Sequence, residues 1–396
     1  MQLVYKQSDL NEVCCRFSKF PYIIIDTEFI RDTTYWPNLC LIQMAYGDIS
    51  ETKDVVIIDV LAKELDLTPF FSLLADERII KVLHSMRQDI DAFMSLGQPV
   101  PTNLFDTQIA AIFCGMKEQI GYDSLVMEML GVKIDKSLQI TDWYQRPLTE
   151  QQLSYAMNDV TYLNDVYLLL LERLHSMQRS SWLQEEMLYL NRADIYENSA
   201  ERIFKNLSRK LKKPLHASVC KELVHWREGV VQERNIPRSY LLSDEDICVV
   251  SSFVSVSEDA LRNKLASYRK VMQMHLYDEF FNVVQRGMNN VEAHNENKTS
   301  QLPRISKNDE VMVDIVKVLL HAVAADYDIC ASVIARTGEI KTMVQCICDN
   351  RSLYDEEIRC MRGWRWNIFG TYAVKLMQGD IAIYVRDSKV CIHDIL

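Results

Sequence analysis

The apolar run Tyr22-Ile23-Ile24-Ile25 leads straight into Asp26-Thr27-Glu28-Phe29. An aromatic and three β-branched residues in a row read as a buried strand. The carboxylates that follow constrain how that strand can end. Residues i and i+2 of a strand share a face, so Asp26 and Glu28 leave the core side by side. Two carboxylates held together call for a counter-charge, and hard divalent cations supply it. Alone, a D-x-E at a strand end is common. Two later segments narrow its meaning.

The first is Lys81-Val82-Leu83-His84, a short apolar strand, followed by a helix that places Asp89 in its early turns. The second begins at Thr149. Thr149 and Gln152 fit a capping box, so a helix starts there. Tyr155 and Asp159 are four residues apart on it and share a face. Four carboxylates, Asp26, Glu28, Asp89 and Asp159, can then close on one site with a tyrosine one turn from the last.

These segments, in this order, resemble the ribonuclease D family, in the tyrosine-containing branch of the four-carboxylate (DEDD) 3'-5' exonucleases. The matching residues are Asp26-Thr27-Glu28-Phe29 with Ile30-Arg31 and Leu39-Cys40-Leu41-Ile42-Gln43-Met44, then His84 and Asp89, then Tyr155 and Asp159. Asp142-Trp143 and Arg146-Pro147-Leu148-Thr149 precede the last pair. The sister branch carries histidine where this chain has Ser154.

The resemblance implies a ribonuclease-H-like mixed-sheet fold and a metal-dependent 3'-5' exoribonuclease. Its substrate would be RNA with a free 3' end, notably transfer-RNA precursors, released as nucleoside 5'-monophosphates. Two divalent cations, Mg²⁺ or else Mn²⁺, are implied as cofactors. Asp26, Glu28 and Asp159 would hold one. Asp26 would also reach the other, with Asp89 helping through water, and Tyr155 would orient the attacking water. Phe29, Arg31, Tyr35, His84, Trp143 and Arg146 are candidate RNA contacts. For His84 a structural role, and for Phe29 core packing, stand beside that reading. Asp91 is expected to face away and be solvated.

The chain as a whole reads as α/β followed by all-α. Strands are expected over 22–26, 39–46, 55–59 and 79–83, the first two joined by a hairpin loop containing Pro37 and Asn38. Helices are expected over 88–95, 107–114, 122–130 and 149–174. From about residue 182 the pattern is helical throughout. Trp226-Arg227-Glu228, Glu233-Arg234-Asn235 with Pro237-Arg238, and Leu242-Ser243-Asp244-Glu245 resemble the helicase-and-RNase-D C-terminal (HRDC) domain, with Ser243 capping a helix. Gly363-Trp364-Arg365-Trp366 resembles a second, more diverged module of that kind, with plain core packing of Trp364 as the alternative reading. The expected organisation is an exonuclease domain over 1–178, a connecting helix and basic linker over 179–213, an HRDC domain over 214–288, a polar linker over 289–309, and a second HRDC-like domain with a short extended tail over 310–396.

Composition sets the limits. The 396 residues suffice for two or three domains. No apolar run reaches the length of about 18 residues that marks a membrane span. No secretory signal opens the chain, and 11 cysteines without a C-x-x-C pair suit free thiols in a reducing compartment, so a cytoplasmic protein is expected. A net charge of −11 argues against sequence-blind electrostatic binding of nucleic acid. It leaves room for a nuclease whose cations supply local positive charge. Arg202, Lys205, Arg209, Lys210, Lys212 and Lys213 form the densest basic cluster, read as a solvated face or as strand guidance. No obligate protein partner is evident. Two other readings compete: a DNA-directed exonuclease of the same fold, and an inactive RNA-binding scaffold. The complete set of carboxylates weighs against the scaffold.

Overall fold

A six-stranded mixed sheet organises the first half of the chain. In chain order its strands are β1 (Gln2–Val4), β2 (Tyr22–Ile30), β3 (Asn38–Tyr46), β4 (Asp54–Asp59), β5 (Ile80–Leu83) and β6 (Leu104–Asp106). Their lateral order is β1-β4-β3-β2-β5-β6. β3 runs antiparallel to both β2 and β4, and the other pairs are parallel. This computed structural model describes residues 1–396 except 50–52, 136–140, 197–198, 212, 254–256, 291–305, 354–357 and 396. Most of the expected polar linker, and Lys212, lie outside the described residues.

The sheet is packed on both sides. Ile23 and Ile25 of β2 face a core built with α1 (Gln7–Phe17), α2 (Thr68–Ala75) and α3 (Arg87–Ser95). Tyr22 and Ile24 face the opposite core, shared with α4 (Thr107–Phe113), α5 (Tyr122–Leu130) and α6 (Glu150–Ser176). The expected capping box forms: the Thr149 hydroxyl accepts from the Gln152 amide, and the Gln152 side chain accepts from the Thr149 amide. It fixes where α6 begins, and therefore which residues of that helix face the sheet.

One expectation about β2 is corrected. The strand does not end at its carboxylates but continues to Ile30, because β3 pairs with it over its length. What stops is its other neighbour. β5 pairs only with Tyr22, Ile23 and Ile24, so from Asp26 onward that edge of β2 is open.

After α6 come α7 (Ser180–Leu190), α8 (Ala200–Ser208) and α9 (Pro214–Glu233). The first helical module packs α9 against the helix Tyr277–Asn289 around its own core. The two backbones come so close that a β-carbon on Gly287 would lie 2.5 Å from the Val219 α-carbon, so only glycine fits. Ser243 caps the helix Asp244–Ser251 as expected.

The last module begins earlier than the apolar pattern suggests. Its first helix spans Lys307–Asp326, because Ser306 and Asp309 form a capping box inside the polar run. Its end, read as an extended tail, is a paired hairpin of β7 (Ile381–Arg386) and β8 (Lys389–Asp394). This module shares a core with the nuclease domain. Trp364 is buried, stacks on Trp182 at 5.0 Å and meets Phe113 edge-on. Arg365 is paired with Glu186 of α7. Gly363 has φ +54°, and a β-carbon there would collide with Glu185 Oε2, which instead accepts from the Trp364 amide at 3.1 Å.

Replacing Trp364 by alanine removes this junction. It should cost about 3–5 kcal/mol, read as a lowered urea midpoint. A midpoint equal to wild type would mean that the stacked pair contributes nothing to stability.

Candidate active site

The carboxylates are collected from three elements. Asp26 and Glu28 project from the α6 face of β2, and Asp159 descends from α6 onto them. One oxygen of each lies within 4.8 Å of the others. Asp89, in the first turn of α3, reaches β2 where its edge is open. The Thr27 hydroxyl, on the strand between the other two carboxylates, donates to Asp89 Oδ1 at 2.5 Å. The ladder is irregular here: Glu28 pairs with Leu41 but Phe29 with Leu39, so Cys40 is bulged out beside the site.

Several positioning groups escaped the sequence reading. Asp106 accepts from the amides of Ser85, Met86 and Gln108 at 2.8–3.1 Å. It thereby fixes the turn between β5 and α3, in which Ser85 has φ +55°. That turn delivers Asp89. The Tyr122 hydroxyl meets the carbonyls of Asn158 and Asp159 and pins α6 at the site. The visible signal for Asp106 was its place just before the α4 helix, a favoured N-cap.

Burial and crowding dominate the electrostatics. Burial pushes Asp26, Glu28, Asp89 and Asp159 all above the ordinary carboxylate range. For Glu28 the neighbouring charges of Asp26, Asp159 and Asp89 add to the effect, and for Asp159 and Asp89 the charge of Asp26 does. Such a cluster cannot be fully ionised alone. Its oxygen-only donor set and close spacing fit hard divalent cations. Tyr155 lies one turn before Asp159 on α6, on the same face and beside its carboxylate. Burial first, then the charges of Asp159, Glu28 and Asp26, raise its hydroxyl well above its usual range. At neutral pH its hydroxyl keeps its proton and can donate a hydrogen bond.

The expected RNA contacts divide. Tyr35 is corrected: it is buried in the core of the first helical module. Its hydroxyl bonds Glu228 at 3.0 Å, Gln232 at 3.2 Å and Arg238 at 3.0 Å. Asn235 accepts from the amides of Tyr35 and Trp36. The signature residues Glu228, Asn235 and Arg238 thus clamp the β2–β3 hairpin. Trp143 is also corrected, being 2% exposed and packed beside the Tyr155 ring at 6.1 Å. Arg146 makes a two-pronged pair with Asp59, both contacts 2.7 Å, and so is engaged within the fold. His84 Nδ1 lies 3.0 Å from the Thr107 hydroxyl, and its ring packs on Tyr122. Burial lowers its pKa, which favours the neutral ring. Phe29 is half-buried against the α1–α3 core. Arg31 remains half-exposed at a cleft with Trp36. It lies 3.9 Å from Asp91, which is therefore half-buried and not solvated as expected.

The comparisons with known proteins agree. Residues 1–175 match the model of a 3'-5' exonuclease family. Ribonuclease D of Bartonella henselae is 34% identical over 98% of this chain and 93% of its own. Ribonuclease D of Nitrobacter hamburgensis is 34% identical over 98% of each. The crystal structure of Escherichia coli RNase D, an exoribonuclease involved in structured RNA processing, superposes with a TM-score of 0.76 at 24% identity, covering 96% of this chain and 98% of that one. The fold is that of this structure, the relatives match nearly end to end, and the chain belongs to the ribonuclease D family of 3'-5' exoribonucleases.

Proposed function

We propose that this exoribonuclease trims structured RNAs with a free 3' end, transfer-RNA precursors among them, by a two-metal mechanism. The observation that carries the reading is the meeting of Asp26, Glu28 and Asp159 oxygens within 4.8 Å, with Tyr155 one helical turn from Asp159. Asp26, Glu28 and Asp159 would hold one divalent cation. Asp26 would also serve a second, with Asp89 acting through water. Bound there, Mg²⁺ or Mn²⁺ would activate water and stabilise charge on the departing 3'-oxygen. Tyr155 would hold the attacking water in line, its ring packed beside Trp143. Thr27 would keep Asp89 turned inward.

The substrate class follows from the Escherichia coli relative, whose description is of structured RNA processing. Arg202, Lys205, Arg209, Lys210 and Lys213, all exposed, supply basic surface between the nuclease and the first helical module. A cytoplasmic location fits the 11 free cysteines. No helix among the described residues is long and apolar enough to cross a membrane.

The deciding experiment digests 3'-labelled and 5'-labelled RNA, with Mg²⁺ or EDTA, beside matched DNA. Immediate release of labelled mononucleotide from the 3' end, stepwise shortening from the 5' label and silence in EDTA are expected. Equal cleavage of DNA would favour the DNA-directed reading.

Asp26→Asn and Asp159→Asn should each lower turnover by at least roughly 10³-fold while the protein stays folded by circular dichroism. Activity near wild type would remove the metal assignment. Tyr155→Phe should cost roughly 10²-fold in kcat and leave calorimetric Mn²⁺ binding intact. Lost Mn²⁺ binding would contradict a positioning role. The metal-free protein carries a pH signature. Its buried carboxylates keep protons that the unfolded chain releases from about pH 4 upward, so stability falls as pH rises. Melting in EDTA should drop between about pH 5 and about pH 8, and millimolar Mg²⁺ should flatten the slope. A midpoint that climbs over that range in EDTA would count against the crowded-carboxylate picture.

A further inference from the structure

The middle of β3 carries a polar residue that the site, as described, does not use. Gln43 is fully buried, and neither its amide oxygen nor its amide nitrogen has a hydrogen-bond partner among the described residues. Burying both halves of an amide unpaired is costly, and an apolar side chain of the same shape would avoid the cost. Where a sequence breaks a packing rule in a core, a functional constraint is the first explanation to test.

The position identifies the constraint. In the β2–β3 ladder Gln43 lies directly opposite Asp26. Opposed residues of an antiparallel pair leave the same face, with β-carbons about 4.5–5.5 Å apart. The alternation along β3 agrees. Ile42 and Met44 enter the core under α1–α3, whereas Leu41 and Ala45 enter the cores on the α6 side. On its other flank Gln43 faces Ile57, which is buried with Ala156 of α6. Apolar side chains thus close the amide in along β3 and towards β4. Across the ladder stands the carboxylate of Asp26.

We propose that Gln43 is a positioning residue for the metal centre: its amide, coupled to the Asp26 carboxylate through an enclosed water, sets the orientation of Asp26 and hence the affinity for divalent cations. The proposal rests on the metal reading above. A buried water needs two to four polar partners. The Gln43 amide offers both a donor and an acceptor, and an ionised Asp26 has lone pairs to spare after binding metal. Asp26 is the ligand assigned to both cations, so its orientation bears on each. Groups that orient metal ligands in this way typically change affinity or activity by about 10–100-fold when removed.

The test uses the full-length chain with Gln43→Met, close in shape, and Gln43→Leu. Three measurements are made: melting in EDTA, Mn²⁺ binding by titration calorimetry without RNA, and steady-state cleavage at limiting and saturating Mn²⁺. Both variants are expected to melt at or above the wild-type temperature. Their dissociation constant for Mn²⁺ should rise about 10-fold or more, with kcat reduced at limiting Mn²⁺ and KM for RNA within about two-fold of wild type. Wild-type affinity for Mn²⁺ in either variant overturns the proposal, whatever its melting temperature. Weaker binding accompanied by a lower melting temperature in both variants assigns Gln43 to packing and overturns it as well. Wild-type protein that binds no Mn²⁺ removes the metal reading itself, a failure seen before any variant is made.

Discussion

Like charges crowded into a place with little water are the constraint on which this structure turns. Asp26, Glu28, Asp89 and Asp159 repel one another, and burial makes each harder to ionise. Such an arrangement persists only if the scaffold around it is rigid enough to bear it. The scaffold meets that demand with redundancy. β2 is held by β3 over its length, α6 is fixed by its capping box and by the Tyr122 hydroxyl, and the turn before α3 is tied by three amides to Asp106. Under the metal reading proposed above, a bound cation would offset that repulsion locally.

The helical modules are attached to this scaffold in two different ways. The first has its own core and grips the nuclease through polar contacts to one hairpin, with Tyr35 as the inserted tooth. Arg227, fully buried, pairs with Glu228 and Asp244, and Arg238 shares Glu228. Removing Glu228 would leave Arg227 charged and buried, so the clamp is specific about its geometry. The last module instead extends the apolar core of the nuclease domain across α4 and α7.

Four of the five candidate site residues were legible because they sit in short patterns with a fixed periodicity: Asp26 and Glu28 two apart on a strand, Tyr155 and Asp159 four apart on a capped helix; Asp89 had only its place early in a helix. The groups that position them were not legible. Thr27, Tyr122 and Asp106 act on residues of other segments, and nothing local to a tyrosine or threonine announces a partner dozens of positions away. Tyr35 was misread for a related reason. An aromatic residue near a catalytic motif has the same local sequence whether it lines a cleft or plugs an interface. β1 and β6, three residues each, are too short to show an alternation. The start of the helix at Lys307 was hidden because a capping box is itself polar and merges with a polar linker.

The shared core between the nuclease and the last module bears on how the chain is made. Phe113 of α4 and Trp182, just inside α7, find their apolar cover in Trp364, more than 180 residues further along. During synthesis those surfaces emerge early and wait until Trp364 has been made. The first helical module can close around its own core as soon as it is complete. The nuclease domain cannot finish its packing until the helices around Trp364 have been made, so the last apolar contacts beside α4 and α7 close late, after the first helical module already has its own core.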